Sequence, residues 1–286
     1  MQVGWPAHIP RTLHLYWGRN RPLTRLRYLT VATFLHYNPD WSVVVHTPAV
    51  NPAEIFFWPS SDHKYFTLAA GDRDHLEDLA HIARVTVLIE AHKFWDAMLL
   101  SEVHRADLLR WHVMAEYGGV WSDFDMLYVK SLESAVTSNG RADIYLCDDV
   151  NHTGDKYYCT SFVASAGNDR SRAFYSSVLR EAVHRTTGTS RHSAGREPLA
   201  VVASDPPDEC CVSILPGQMF YPVPEMYSTR LYADTDVPVS DLTIGIHWFG
   251  GSRCAVEFES RAAKKVCAMS AIVEDAEAAL GAGVTP

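Results

Sequence analysis

Two aspartates separated by one residue, Asp123 and Asp125, interrupt the apolar and aromatic run "GGVWSDFDMLYV". Burying a carboxylate costs free energy unless it is paired or binds a cation. In a regular strand both side chains would face one side, and where the strand breaks into a loop both can converge on one ion. Carboxylates suit Mg²⁺ or Mn²⁺, and such sites take further ligands from substrate phosphates and water. The pair predicts a cation site that a diphosphate completes, although a bare D-x-D also occurs by chance and in solvated turns.

The segment just upstream, residues 101–117, has the apolar spacing of a helix and is followed by Gly118 and Gly119. Asp107 and Arg110 are three residues apart, so they share a helical face. The two glycines allow a sharp turn into the strand with the aspartates. This arrangement predicts that an acid, a guanidinium and the D-x-D pair meet at one strand end. A surface ion pair, worth a few tenths of a kcal/mol, is the alternative for Asp107 and Arg110.

Strands and helices alternate over the first half of the chain, which predicts an α/β fold with a mixed, mainly parallel sheet flanked by helices. Ligands of such sheets bind at the carboxyl ends of the strands. The predicted strands are 12–18, 41–48, 84–90, 120–129, 142–149, 157–165, 212–223 and 242–251, and the predicted helices are 23–37, 101–117, 170–185 and 255–280, with a short helix around 198–203.

The run "RADLLRWHVMAEYGGVWSDFDMLYVKSLE" resembles the signature of D-x-D glycosyltransferases of family 32, to which the fungal initiating mannosyltransferases belong. The catalytic domains of the large clostridial glucosylating toxins are more distant relatives. Matching positions are Asp107, Arg110, Gly118, Gly119, Trp121, Asp123 and Asp125. Trp121 stands where the family more often has Tyr. "IPRTLHLYWG", "VSILPGQMFYPV" and "GIHWFGGS" extend the resemblance in patches over about residues 8–255, and Arg253 replaces an aromatic residue of the family pattern.

The resemblance implies a GT-A-type fold of Rossmann-like architecture and a metal-dependent, retaining transfer from a UDP- or GDP-sugar, with UDP favoured. The departing phosphate oxygen would serve as base, so no dedicated nucleophile is assigned. Asp125 is the expected direct metal ligand, and Asp123 is expected to contact ribose, sugar or metal-bound water. The expected catalytic residues are Asp123, Asp125, Asp107 and Arg110, and the expected ligands of Mn²⁺ or Mg²⁺ are Asp125, Asp123 and His247. The expected donor-binding residues are Trp17, Arg105, Asp107, Arg110, Gly118, Gly119, Trp121, Asp123, Trp248, Gly250, Gly251 and Ser252, with Trp17 stacking on the base.

Composition sets further bounds. The 286 residues carry a net charge of -9, which disfavours broad binding to a nucleic-acid backbone. Six cysteines occur without a CxxC spacing, and neither a leader-like start nor an apolar run of membrane-spanning length is present, so we expect a cytoplasmic protein with reduced thiols. Arg19, Arg21, Arg25 and Arg27 form a compact basic cluster, which is either a solvated face or a pocket for phosphate.

A single domain, 1–286, is expected, with a nucleotide-binding half at about 8–130, an acceptor-side half at about 131–255 and a C-terminal helix at about 255–280. Two other functions stay open: a nucleotide-sugar-binding protein without transfer activity, and a D-x-D phosphotransferase, for which the usual Thr or Val after the second Asp is missing. A glycan precursor, a protein, a small molecule or a modified DNA base could be the acceptor. Asp148 and Asp149 lie either on the acceptor side or in a solvated turn.

Overall fold

The computed structural model describes residues 2–18, 22–48, 73–88, 101–137, 139–150, 153–186, 192–260 and 266–282. Their strands are β1 (Gln2–Val3), β2 (Thr12–Tyr16), β3 (Ser42–Pro48), β4 (Arg84–Leu88), β5 (Gly119–Ser122), β6 (Met126–Tyr128), β7 (Val136–Thr137), β8 (Ile144–Val150), β9 (Lys156–Ser165), β10 (Val212–Leu215) and β11 (Gly245–His247). The α-helices are α1 (Arg25–Tyr37), α2 (Leu76–Ile82), α3 (Glu102–Glu116), α4 (Asp169–Arg185), α5 (Arg196–Ser204), α6 (Arg230–Ala233), α7 (Arg253–Ser260) and α8 (Ala268–Ala282). No helix in these ranges is long and apolar enough to cross a membrane.

The central sheet has the order β10-β8-β9-β5-β2-β3-β4 among the described strands. Neighbours pair in parallel except at β9, which is antiparallel to both β5 and β8. Parallel strands of such a sheet are covered on both faces, and on one face of β2 the buried side chain is the polar His14 beside His46 of β3. Leu13 and Leu15 of β2 and Val120 of β5 are fully buried. The predicted mixed, mainly parallel α/β sheet is confirmed.

Helix α3 leads from the edge of the sheet into β5. Ser101 caps its first turn by accepting a hydrogen bond from the amide of His104 at 3.3 Å. One side of the helix packs on α4 and the sheet through Leu108, Trp111 and Met114, all fully buried. The predicted helix over 101–117 is therefore confirmed, and its burial fixes the orientation of the polar residues between these apolar ones.

The turn from α3 to β5 requires both of its glycines. Gly118 and Gly119 have φ values of 66° and 88°, a region that residues with a Cβ rarely adopt. A Cβ on Gly118 would lie 2.6 Å from the Cα of Gly167, and one on Gly119 would lie 2.6 Å from the carbonyl oxygen of Thr12. The close contacts bring β5 directly beside β2.

The strand that carries the aspartates breaks where they stand. β5 ends at Ser122, the residues 123–125 form a turn, and β6 resumes at Met126. β6 leaves the central sheet and pairs with β11 in an antiparallel ribbon, with Met126 opposite His247. A segment near the C-terminal end of the chain is thereby placed beside the D-x-D turn.

Four predicted elements differ from the structure, and one of them, the strand predicted for 242–251, is limited to β11 at Gly245–His247. The continuous strand 120–129 is two strands in two sheets, because the turn at 123–125 redirects the chain. The strand predicted for 212–223 ends at Leu215, where Pro216 precedes a short 3-10 turn at Gly217–Met219. The C-terminal helix predicted for 255–280 is wrong as one element, since Val266 and Cys267 are not helical and separate α7 from α8. Residues 89 and 90 of the third predicted strand lie outside the described residues.

Candidate active site

A cleft of about 610 Å³ lies at the carboxyl ends of the parallel strands β2 and β5. Trp17 follows β2 and Asp123 follows β5, and both line the cleft. The loop after β11 and helix α7 form another part of its wall, including Gly250 and Glu259. This is the position at which sheets of this kind bind ligands.

Asp125 and His247 face each other at the bottom of this cleft. The ribbon register places His247 opposite Met126, so its Nε2 comes 3.1 Å from Oδ1 of Asp125. The other carboxylate oxygen accepts a hydrogen bond from the amide of Gly250 at 2.8 Å. The backbone adds a second link, because the amide of Trp248 donates to the carbonyl of Asp125 at 2.9 Å. Asp125 is thus fixed by the segment that follows β11.

The charges of the pair stabilise each other. Burial alone would raise the pKa of Asp125, but the charges of His247 and Arg27 and the amide of Gly250 hold that pKa below its usual range. Burial alone would lower the pKa of His247, and the nearby Asp125 carboxylate outweighs it and raises that pKa above 6.5. In the protein without a bound cation each group therefore favours the charged form of the other.

The pair fits a divalent cation. Among the described residues, Oδ1 of Asp125 is buried and accepts no hydrogen bond of good geometry, although His247 lies near it. The carboxylate oxygen suits Mn²⁺ or Mg²⁺, and the imidazole nitrogen that faces it can serve as a further ligand of a transition metal. No group of three or more His, Cys, Asp or Glu residues placed to hold a metal occurs in the ranges described. Substrate oxygens and water would have to supply the remaining ligands.

Arg110 forms ion pairs with both Asp107 and Asp123. Its Nη1 donates to Asp107 at 2.5 Å and its Nη2 donates to Asp123 at 3.0 Å. Trp121 also donates to the same oxygen of Asp123, from its Nε1 at 2.8 Å. The side chains of Asp107 and Arg110 are 7% and 3% exposed, so this is a buried ion pair and the surface alternative is excluded.

The network is preorganised for polar groups of a ligand. Burial raises the pKa of Asp107, and the charge of Arg110 opposes that rise. Burial would lower the pKa of Arg110, but the carboxylates of Asp123 and Asp107 raise it. A guanidinium fixed between two carboxylates keeps a defined orientation toward the cleft, where donors and acceptors in known positions can select hydroxyl groups.

Arg27 contributes a positive charge on the opposite wall. Its guanidinium lies over the rings of Trp17 and Trp248, 5.2 and 5.1 Å from their centroids. One of its nitrogens is 3.5 Å from Glu259, whose carboxylate also accepts from the hydroxyl of Thr24 at 2.5 Å. The Arg27 side chain is only 18% exposed, so this member of the basic cluster is part of the cleft. Arg25 is 43% exposed, and Arg19 and Arg21 lie outside the described residues.

The loop after β11 brings backbone amides to the cleft. Phe249 adopts a φ of 52°, which turns the chain so that Gly250, Gly251 and Ser252 line the cavity. The hydroxyl of Ser252 accepts from the amide of Ala255 at 3.2 Å and so caps α7. The positive end of a helix dipole therefore lies at the cleft wall.

The structure brings most, but not all, of the predicted site residues to this cavity. The cleft lining includes Trp17, Asp107, Arg110, Trp121, Asp123, Asp125, His247, Gly250, Gly251 and Ser252. Four predicted donor-binding residues do not line it: Arg105, Gly118, Gly119 and Trp248. Arg105 is buried beside Glu102, the two glycines shape the α3–β5 turn, and Trp248 is fully buried behind Arg27.

Sequence patterns did not indicate several cleft residues. Tyr157, Arg196 and Glu225 line one end of the cavity, and Glu259 lines another part. They come from β9, the start of α5, a 3-10 turn and α7, so tertiary contacts alone bring them together. Asp149 is buried and joins this group, whereas Asp148 pairs with Lys156, whose side chain is 77% exposed, at 3.2 Å.

The sheet with its D-x-D turn at the carboxyl edge defines a GT-A-type glycosyltransferase fold. Residues 26–142 match the family model described as "glycosyltransferase sugar-binding region containing DXD motif". In sequence, this part of the chain is therefore similar to D-x-D glycosyltransferases, which confirms the predicted resemblance at that level. No curated protein matches the sequence.

One solved glycosyltransferase structure with a TM-score above 0.5 is similar in fold, and two others align with lower scores. The structure of the glycosyltransferase GlyE from Streptococcus pneumoniae TIGR4 is 11% identical, with a TM-score of 0.51, over 95% of this chain and 63% of the GlyE chain. The present chain thus spans less than two thirds of GlyE. The galactosyltransferase LgtC, solved with donor and acceptor sugar analogs, is 13% identical, with a TM-score of 0.44, over 96% of this chain and 97% of the LgtC chain. The catalytic domain of alpha-toxin from Clostridium novyi is 9% identical, with a TM-score of 0.41, over 64% of this chain and 58% of the toxin chain.

Proposed function

We propose that this protein is a metal-dependent glycosyltransferase that moves a sugar from a nucleotide-sugar donor to an acceptor hydroxyl, with retention at the anomeric carbon. The observation that carries the proposal is the Asp125–His247 pair in one cleft with the Asp107–Arg110–Asp123 network. The first group can hold a cation for a diphosphate, and the second can hold sugar hydroxyls. A nucleotide sugar has both of these parts next to each other.

Asp125 and His247 would hold Mn²⁺ or Mg²⁺, and Asp123 would act beside them. The bound cation would supply Lewis-acid stabilisation of the charge that grows on the departing diphosphate. Arg27 and the N-terminal end of α7 are positive groups in the same cleft, so they would attract phosphate oxygens. Trp17 can present to a base only the face that Arg27 does not cover.

Asp107 and Arg110 would orient the donor sugar. A carboxylate accepts hydrogen bonds from hydroxyl groups and a guanidinium donates them, so the pair can distinguish the hydroxyl pattern of one hexose from another. The engagement of Asp107 and Asp123 with Arg110 makes both carboxylates poor nucleophiles. This supports direct displacement, in which the departing phosphate oxygen takes the acceptor proton.

UDP is the favoured nucleotide and GDP the alternative, both from the resemblance to family 32 and the clostridial toxins. Membership of family 32 itself, the single-domain organisation and the cytoplasmic location stay predictions. The acceptor classes compatible with this proposal are a glycan precursor, a protein, a small molecule and a modified DNA base.

The test is a thermal-shift screen of UDP- and GDP-hexoses with Mn²⁺, with Mg²⁺ and with EDTA. A ligand at about 100 times its Kd stabilises a native protein by ~2.7 kcal/mol, so a donor gives a clear rise in Tm that EDTA removes. The best donor is then assayed for release of nucleoside diphosphate, and the anomeric configuration of the sugar product is read by NMR. We expect turnover and retention.

Asp125→Asn keeps the size of the side chain and removes its charge, so we expect it to lower metal-dependent turnover at least about 100-fold. Asp169→Asn, a change at a fully exposed carboxylate, is the matched control and should have no effect. Binding of a nucleotide sugar without turnover in the presence of any acceptor would instead identify a binding protein. Turnover that survives both EDTA and Asp125→Asn would contradict the metal role.

A further inference from the structure

A second polar cluster lies in the cleft, apart from the residues assigned to the donor. It consists of Asp149 on β8, Tyr157 on β9, Arg196 at the start of α5 and Glu225 in a 3-10 turn; we refer to it as the Glu225 cluster. Tyr157, Arg196 and Glu225 line the cavity, and Asp149 is buried behind them. The donor chemistry proposed above uses none of these side chains.

The cluster holds Glu225 in one position. The carboxylate of Asp149 accepts hydrogen bonds from the amide of Glu225 at 3.0 Å and from the amide of Val150 at 2.7 Å. The hydroxyl of Tyr157 lies 2.9 Å from the Glu225 carboxylate and 3.2 Å from that of Asp149. One hydroxyl proton can serve only one of these contacts, and the shorter is to Glu225. Burial and the surrounding carboxylates raise the pKa of Tyr157, so it stays a donor.

Arg196 completes a pair of complementary groups. Its guanidinium lies over the ring of Tyr157, 5.1 Å from the centroid, and its Nη1 is 3.8 Å from Glu225. This distance is short enough for charge attraction and too long for a hydrogen bond, so the contact uses no N–H of Arg196. About a third of each side chain is exposed, 32% for Arg196 and 34% for Glu225. A ligand in the cleft can therefore reach both.

The cluster adjoins the place proposed for the donor sugar. The residue before Arg196 is Gly195, and a Cβ there would lie 2.7 Å from Oδ2 of Asp107. The start of α5 thus touches the sugar-orienting pair on one side and carries the Glu225 cluster on the other. On the other flank, the charge of Asp149 contributes to the raised pKa of His247. A molecule bound at Glu225 and Arg196 would be next to the donor sugar.

We infer that the Glu225 cluster is the acceptor subsite and that it takes an uncharged saccharide by two neighbouring hydroxyl groups. One hydroxyl would donate to Glu225 and the other would accept from Arg196, as a carboxylate beside a guanidinium requires. The half-buried rings of Tyr157 and Tyr158 supply aromatic surface for the C–H face of a sugar ring. Anionic acceptors are repelled, because within the cluster the carboxylates of Glu225 and Asp149 outnumber the guanidinium of Arg196. The inference rests on the proposed glycosyl transfer.

The test uses saturation-transfer NMR with the whole chain, UDP and Mg²⁺. The probes are the methyl glycosides of glucose, galactose and mannose, with glucuronate as the charged counterpart. We expect at least one neutral glycoside to bind and glucuronate not to bind. In Glu225→Gln, whose amide is a weaker acceptor than a carboxylate, the affinity for that glycoside should fall at least about tenfold. Arg196→Lys, which keeps the charge but loses the planar fork, should weaken binding as well.

Glu181→Gln is the matched control, because Glu181 forms an ion pair with Arg185 on the outer surface of α4. Its binding should equal that of the original protein, and equal Tm values would show that all variants are folded. Absence of binding by every neutral glycoside, preferential binding of glucuronate, or full binding by Glu225→Gln would each overturn the subsite. Release of nucleoside diphosphate from the nucleotide sugar in the presence of the glycosides is measured in parallel. Its absence contradicts the proposed function, whereas its presence with Glu225-independent glycoside binding contradicts the subsite alone.

Discussion

At the scale of single residues, Arg27 is the side chain whose position most alters the view of the cleft. Its guanidinium is held by cation–π attraction to two indole rings and by the carboxylate of Glu259. Such a charge is fixed before any ligand arrives. An anion that binds there pays little for ordering the arginine, so Arg27 can contribute strongly to the affinity for a diphosphate.

We predict that Arg27→Gln weakens nucleotide-sugar binding by roughly 1.5–3 kcal/mol, the usual value of a hydrogen bond to a charged group, or about ten- to a hundredfold in Kd. Calorimetric titration of the donor with Mg²⁺ measures this change. Arg25→Gln on the same helix removes an exposed charge that pairs with Glu277 and should leave Kd unchanged.

Loss of Arg27 also leaves the buried Glu259 carboxylate without its cation, which could unfold the chain locally. The double variant Arg27→Gln, Glu259→Gln removes both charges and separates this effect from ligand binding. If the double variant binds the donor as tightly as the original protein, Arg27 does not contact the phosphates.

Sequence patterns were informative about the residues that act locally. Asp107 and Arg110 lie within one turn of α3, and Asp123 follows the next strand, β5. Because the helix, the glycine turn and the strand are contiguous in sequence, spacing alone predicted that these three side chains would meet. Trp248 shows the limit of such reasoning, because it follows His247 directly and is nevertheless turned into the core. Which side of a strand faces a cleft depends on the register with β6, and that register has no local signal.

At the scale of elements, the start of α5 packs against Asp107 and so limits where that side chain can lie. Gly195 lets the helix approach so closely that its Cα faces the carboxylate of Asp107, while Trp111 donates to the carbonyl of Ala194 at 2.7 Å. The sequence over 186–211 is rich in Ser, Gly and Pro and predicted only a short helix around 198–203, which α5 confirms. Its contact with α3 comes from tertiary packing and could not be predicted.

We predict that Gly195→Ala lowers kcat/KM for the donor at least tenfold while the protein stays folded. The added Cβ would lie 2.7 Å from Asp107, and overpacking of this kind costs about 1–3 kcal/mol. Because Asp107 is held by Arg110, the strain is passed to the sugar-orienting pair. Steady-state kinetics with several UDP-hexoses should also show a change in sugar preference.

Gly281→Ala is a control for this substitution, since a Cβ at Gly281 meets nothing within 4 Å. That variant should keep its kinetics and its Tm within a degree or so, because Ala suits a helix better than Gly. An active Gly195→Ala enzyme with unchanged sugar preference would show that α5 does not set the position of Asp107.

At the scale of the whole molecule, a buried imidazole links stability to pH. His14 of β2 is 5% exposed, and its Nδ1 lies 3.1 Å from Nε2 of His46 on β3. Burial lowers the pKa of His14 from 6.5 to about 4, while a backbone hydrogen bond with Gly118 opposes the change. The unfolded chain takes up a proton as the pH falls below 6.5, and the folded chain does so only near pH 4. Stability from this group is therefore complete above pH 6.5 and lost as the pH falls toward 4.

We predict that the free energy of unfolding is about 2 kcal/mol lower at pH 5 than at pH 7 because of His14 alone, since the unfolded chain binds a proton there and the folded chain does not. Urea unfolding followed at both pH values measures the difference. In His14→Gln, which keeps a polar group toward His46, the difference should shrink by about that amount. His81→Gln, a change on α2 in an exposed position, should retain the original pH dependence. An unaltered slope in His14→Gln would assign the acid sensitivity to other groups.

The general architecture of the molecule was predictable because hydrophobic periodicity and turn residues specify it locally. Strands β2, β3 and β9 and helices α1, α3 and α4 fall within a few residues of their predicted bounds. The break between α7 and α8 was missed, since an Ala- and Glu-rich segment favours helix throughout. The Glu225 cluster was missed for another reason: Tyr157 and Glu225 are 68 residues apart, and nothing in either neighbourhood indicates the other.

The pairing of β6 with β11 determines when the D-x-D turn can be completed during translation. Asp125 receives its hydrogen bond from Gly250, a residue 125 positions later in the chain. Ribosomes add roughly 5–20 residues per second, so the D-x-D turn is made roughly 6–25 s before the segment that completes it. During this interval the nascent chain has the acids without His247 or the glycine amides. A chain that stops before β11 lacks both groups that hold Asp125, so we expect it to lack the metal-dependent activity proposed above.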